Sequence, residues 1–285
     1  MKKVFFAIIC LICANANAQT IDSTKALSKE EQCFDKGYAK MQEGAYPQAL
    51  YWFEKGIETS PVYEENYYGA TKVYLLSTET VWGVMYGELF MLISQNDSLK
   101  KEISKALYDT YYNSFTLNGG KSVADFENDV IVYSDSFERH NLFGSTFNDL
   151  MSTSAKGVRI IDIASLSNIR LKFFLLLKTR ASDFMNPLFD YWQKIIDNGH
   201  WQTYNYWLFA YGHKSESATW ARENKQKWNS FQTFLKKNPI SLSNSYFFSR
   251  YQMEYLFSLK FLLFTPFEFL SPIWIFILKE VISGL

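Results

Sequence analysis

Apolar residues recur along this chain at helical spacing, interrupted by short clusters of Gly, Pro, Asn and Ser. Ser28 stands three residues before Glu31, the pattern of a capping box, and predicts a helix over 29–42. Pro47 suits an early helical position and Pro61 a stop, so a second helix is predicted over 47–59. Tyr67, Ala70 and Tyr74 mark a third over 63–76, and its partner follows over 79–94. Gly83 and Gly87 share one face of that partner. Each costs about 1 kcal/mol against Ala, which close packing against a neighbouring helix offsets. The rival reading, a small-xxx-small membrane helix, fails because Glu88 and polar flanks interrupt the run.

The second half continues the pattern. Asn96-Asp97-Ser98 opens a helix predicted over 97–116, with Leu99, Ile103, Leu107 and Tyr111 on one face, and Gly119-Gly120 ends it. Residues 121–137 are the least helical, and Val130 to Tyr133 read either as a short strand or as a buried turn. Helices resume over 138–151 and 166–181, the latter with Ile169, Phe173, Leu176 and Leu177 as core candidates. Asn186-Pro187 starts another, which ends at Asn198-Gly199. An aromatic helix over 201–211 and a last one over 217–236, closed by Asn238-Pro239, complete an all-α fold of antiparallel hairpins. The expected organisation is a leader over 1–18, repeat-like helices over 19–95, a larger aromatic-rich helical region over 96–240 and an apolar tail over 241–285.

The stretch from Cys33 to Pro61 resembles one tetratricopeptide repeat (TPR), a helix–turn–helix unit of about 34 residues. Gly37, Gly44, Tyr46, Ala49, Phe53 and Pro61 carry the resemblance. Lys40 stands where the family has an aromatic, and Gly56 takes its last small position. The next helix pair reads as a degenerate second repeat. The resemblance implies a binding scaffold whose first helix presents Glu31, Phe34, Tyr38, Met41 and Gln42 to a protein or peptide partner. The competing reading is that later helices cover this face.

Composition changes the picture in three ways. Aromatic residues make up 18% of the 285 residues, with 25 Phe and 19 Tyr, which favours helices packed through large rings. The formal net charge of +0 gives no field for nucleic acid. Lys2 and Lys3, the apolar run from Val4 to Ile12 and Ala16-Asn17-Ala18 form a signal-peptide pattern, so cleavage after Ala18 and an exported bacterial protein are expected. Cys10 and Cys13 fall inside that leader. Cys33, left alone, reads as a small buried hydrophobe.

Candidate chemistry is sparse. Gly120-Lys121-Ser122 lacks the earlier Gly of a phosphate loop, since Phe115 stands there. Asp125-x-Glu127-x-Asp129 begins like a calcium loop, but Val130 replaces its Gly and Ser136 its closing Glu. His140, His200 and His213 show no metal-ligand spacing. No cofactor is expected and no catalytic motif stands out. The aromatic stretch from Trp201 to Tyr211 reads as core through Tyr204, Trp207, Leu208 and Tyr211, with an open stacking platform as the alternative. The tail over 261–278 is apolar but broken by Pro266, Pro272 and Glu268. Docking onto the core, contact with a membrane surface, and an abnormal terminus from a truncated or shifted frame all remain open for it. The expected function is an exported, non-catalytic TPR-type scaffold in the cell envelope. Its rivals are an envelope enzyme, for example a carbohydrate-active one, and a membrane-associated assembly factor. A pocket with paired carboxylates or a carboxylate–His pair would favour the enzyme.

Overall fold

The computed structural model describes residues 26–118, 121–126, 142–250 and 253. Helix α1 (Lys29–Gln42) opens on the capping box: Ser28 Oγ accepts from the Glu31 N–H at 3.4 Å, and the Glu31 carboxylate accepts from the Ser28 N–H at 2.7 Å. Gly44 turns the chain at φ 75°, a region open to glycine, into α2 (Tyr46–Thr59). Helices α3 (Glu64–Tyr74) and α4 (Thr80–Ile93) form the next hairpin.

The two hairpins meet over Phe53, which is wholly buried. A Cβ added to Gly37 of α1 would lie 2.6 Å from its ring, and one added to Gly69 of α3 would lie 2.4 Å away. Two glycines thus make the slot that one ring fills, and burial of such a ring contributes about 1.5–3 kcal/mol. Gly56 lies equally close to the Asn66 side chain, and Tyr67 donates to the Pro61 carbonyl at 2.9 Å. Gly83 and Gly87 pack as their spacing predicts. A Cβ on Gly83 would meet Leu75 at 2.5 Å, and one on Gly87 would meet Leu107 and Thr71 at 3.0 Å.

Helix α5 (Asp97–Asn113) is capped by Asn96, which accepts from the N–H groups of Ser98 and Leu99. It ends before the expected residue 116. Phe115–Asn118 (β1) instead pairs antiparallel with Lys121–Ala124 (β2), Phe115 opposite Ala124 and Thr116 opposite Val123. Thr116 and Val123 suit a strand better than a helix terminus because their branched side chains restrict χ1. Helices α6 (Leu142–Ser154), α7 (Ile163–Arg180), α8 (Pro187–Asp197) and α9 (Trp201–Leu208) follow, with a short 3-10 turn over Ser182–Phe184. Asp162 caps α7, three residues earlier than the sequence reading started it, and Asn186 caps α8.

Two further boundaries differ. The aromatic helix stops at Leu208, and the last expected helix is two: α10 (Lys214–Glu223) and α11 (Lys225–Lys237). They break at Asn224, at φ −116° and ψ 39°, whose side-chain amide donates to the Trp220 carbonyl. Such local bonding lets Asn compete with the helix ladder. The expected leader over 1–18, Val130 to Tyr133, and the tail over 261–278 lie outside the described residues.

The fold is all-α with an aromatic-rich helical region. One cluster of buried side chains runs from Ala49 to Phe248. Helix α4 lies within it, with every residue from Val81 to Met91 buried. A helix apolar all round requires neighbours on every side, and α3, α5 and α8 are among those that supply them.

Candidate functional site

Helix α1 packs against α3, and α3 meets α5 through Tyr68 and Lys72. On α1, the rings of Phe34 and Tyr38 stack at 6.0 Å. Phe34 is half-buried against Phe53, Met41 packs on the core, Gln42 is exposed, and Tyr38 is 47% exposed. Glu31 has its carboxylate engaged in the capping box. On α3 and α5, Glu102 accepts from Tyr68 Oη at 3.0 Å and pairs with Lys72, whose ammonium lies 5.9 Å from the Tyr68 ring centre. Burial first, and then Glu102, pushes the Tyr68 phenol well above its usual range, with a smaller contribution from Tyr38. The strip thus combines exposed ring surface with a polar pair.

A groove of about 530 Å³ opens on another side, between α2 and the α3–α4 turn. Tyr46, Tyr51 and Leu76 are exposed around it. Its floor is polar. Glu54 accepts from Tyr74 Oη at 2.6 Å, and Arg250 donates to Tyr74 Oη at 3.0 Å and to Glu79 at 2.8 Å.

A third concavity, about 680 Å³, lies beside the C-terminal part of α5, the turn before α7 and the start of α10. Tyr108, Asp109, Tyr112, Ile160, Ile161, Asp162, His213 and Glu216 line it. His213 Nδ1 stands 3.3 Å from Glu216. Both Glu216 oxygens already accept bonds, from the Ile163 and Ala164 N–H groups at the start of α7, and one also from Tyr206 Oη. A carboxylate suits a helix N-terminus, where unpaired N–H groups and the dipole favour negative charge. Among the described residues no Ser, Thr or Cys lines this cavity.

A wholly buried polar cluster among the described residues was not visible in the sequence. Glu88 of α4, expected only to interrupt an apolar run, accepts from Arg170 of α7, Trp192 Nε1 of α8 at 2.7 Å, and Tyr204 Oη of α9. Arg170 also donates to Asn205. Its guanidinium lies 4.5 Å from the Trp192 ring centre, with the Trp201, Tyr111 and Phe209 rings at 5.3–5.4 Å. Burial is the largest single influence and opposes the Arg170 charge, but Glu88, Tyr111 and Tyr204 together more than offset it, so its pKa stays above the ordinary arginine value. Fully enclosed, this cluster ties four helices together and offers no opening to a ligand.

The remaining candidates are packed. Cys33 is buried, which raises its thiol pKa. Ser122 Oγ donates to the Ala155 carbonyl at 2.8 Å. His200 rests on the Phe231 and Phe234 rings, and burial lowers its pKa. Tyr204 and Leu208 are wholly buried, Tyr211 is at the surface, and Tyr206, off the predicted core face, is buried against Trp220 at 4.4 Å. His140 lies outside the described residues. Among the described residues no three metal-ligating side chains cluster, and no helix is long and apolar enough to cross a membrane.

Comparison with known proteins finds no match, whether among family models, curated proteins or solved structures.

Proposed function

We propose that this protein is an exported, non-catalytic scaffold whose N-terminal hairpins are TPR-like and hold a protein or peptide segment along α1, α3 and α5. The observation that carries the reading is Tyr38, 47% exposed although its ring stacks on half-buried Phe34 and lies close to the Tyr68–Glu102–Lys72 group. A ring fixed by a neighbour but open to solvent has little rotamer freedom left to lose, which suits an anchor. The Gly37–Phe53–Gly69 packing supports the repeat-like geometry. The balanced charge gives nucleic acid no attraction.

The test is capture of a partner by the mature chain from its own cell envelope, repeated with Tyr38→Ala. The expected result is a reproducible partner held about tenfold less tightly by the variant, with an unchanged melt. Equal capture by a normally folded Tyr38→Ala protein would remove this face from the function.

A second reading, a hydrolytic enzyme, is favoured by the His213–Glu216 pair in the α5–α7–α10 cavity. Binding is preferred because Glu216 is already bonded to the start of α7, and among the described residues no Ser, Thr or Cys nucleophile lines the cavity. Hydrolysis of a model ester or glycoside by the wild type, lost in His213→Ala, would reverse that preference.

A further inference from the structure

We infer that the cavity beside the C-terminal part of α5 is a binding site for an organic cation, an ammonium or guanidinium group held against the exposed Tyr112 ring, which Tyr108 backs. The cavity is about 680 Å³, enough for a side chain or a small amine. Tyr108 and Tyr112 stack at 6.1 Å and form one wall. Tyr112 is 52% exposed, and Ile160, also lining the cavity, is 70% exposed. A slot between a ring face and an aliphatic side chain accepts a flat or slender apolar stem.

The charge around the slot selects what the stem carries. Asp109, Asp162 and Glu216 line it, against His213, which stands beside Glu216, and among the described residues no Lys or Arg does. Each carboxylate is held in place by the fold. Glu216 bonds the start of α7, Asp162 caps that helix, and Asp109 pairs with Lys105 one turn back along α5. Their field converges on one group. The Tyr108 phenol is pushed up to about 12, by burial first, then by Glu216 and Asp162, with smaller contributions from Tyr112 and Asp109. A cation over the exposed Tyr112 ring gains both from the ring quadrupole and from the carboxylates. An anion meets repulsion, and a neutral ligand gains from contact alone.

Two sources present such a group: a basic side chain of a polypeptide, or a free small amine. Glu102, Lys105, Asp109 and Tyr112 follow helical spacing along one side of α5, so the cavity adjoins the same stripe that meets Tyr68 and Lys72. The inference does not rest on the Tyr38 reading, since no residue of α1 lines the cavity.

The experiment is calorimetric or NMR titration of the full mature chain with agmatine, with a capped Gly-Arg-Gly peptide, and with glutarate as the anionic control. Saturable binding of agmatine, of the peptide, or of both is expected, and the tighter of the two identifies the source. Tyr112→Ala and Asp109→Asn, both at the surface, should each weaken it about threefold. Tyr38→Ala should leave it unchanged. Absence of saturable binding by both cations, equal binding of glutarate, or unaltered affinity in the two cavity variants would overturn the inference.

Discussion

The Phe53 ring and Gly37 stand so close that a single added methyl on the glycine would fall 2.6 Å from ring carbon Cε1. The ring cannot move aside, because Gly69 confines it on another helix and nothing of it reaches solvent. Gly37→Ala should therefore destabilise the protein by up to about 2 kcal/mol, an overpacking penalty of about 1–3 kcal/mol reduced by about 1 kcal/mol of helix propensity. A chemical-denaturation midpoint equal to or above wild type would show that the slot has room.

Removing one member of the Glu88–Arg170 pair should be worse than removing both. Arg170→Met leaves a carboxylate buried without its counter-charge, and a loss of about 3–5 kcal/mol is expected. The double variant Glu88→Met with Arg170→Met should recover part of that loss. A double-mutant cycle that is additive within about 0.5 kcal/mol would show the two side chains are uncoupled.

Tyr38→Ala should leave the melting temperature within a few degrees of wild type, because a half-exposed side chain contributes little burial. A loss of about 3–5 kcal/mol would place this ring in the core instead.

Alkaline pH should unfold the protein early. Burial and the neighbouring Glu88 hold the Tyr204 phenol well above its ordinary value of 10. The folded state therefore keeps a proton that the unfolded chain releases above about pH 10, so stability falls as pH rises through that range, by about 1.4 kcal/mol per pH unit for this group. Below that pH both states hold the proton and the effect vanishes. Tyr204→Phe should flatten the slope, measured by urea titrations between about pH 9 and 11.

Local chemistry was legible in the sequence and distant chemistry was not. Ser28 with Glu31, Asn96, and Asn186 with Pro187 act within one helical turn, so their spacing revealed the helix starts. Gly83 and Gly87 announced close packing without naming Leu75 or Leu107 as the neighbours. Glu88 and Arg170 are 82 residues apart, and neither residue's surroundings in sequence signal the other. The β1–β2 hairpin was missed because Phe115 continues the apolar spacing of α5, and only Thr116 and Val123 opposite each other favour a strand. Of the candidate face, the sequence placed Phe34 and Tyr38 four apart on one helix and left open whether later helices cover them. The Tyr68–Glu102–Lys72 group needed α3 and α5 to be placed side by side.

The enclosure of α4 also sets a problem of timing during synthesis. Glu88 leaves the ribosome 82 residues ahead of Arg170, 104 ahead of Trp192 and 116 ahead of Tyr204. At about 5–20 residues per second, its partners arrive roughly 4 to 23 seconds later. Throughout that interval the ring-rich surface of α4 has no tertiary cover from α8 or α9. A nascent chain stalled within α7 should therefore recruit hydrophobic-binding chaperones, and one extended past α9 should release them.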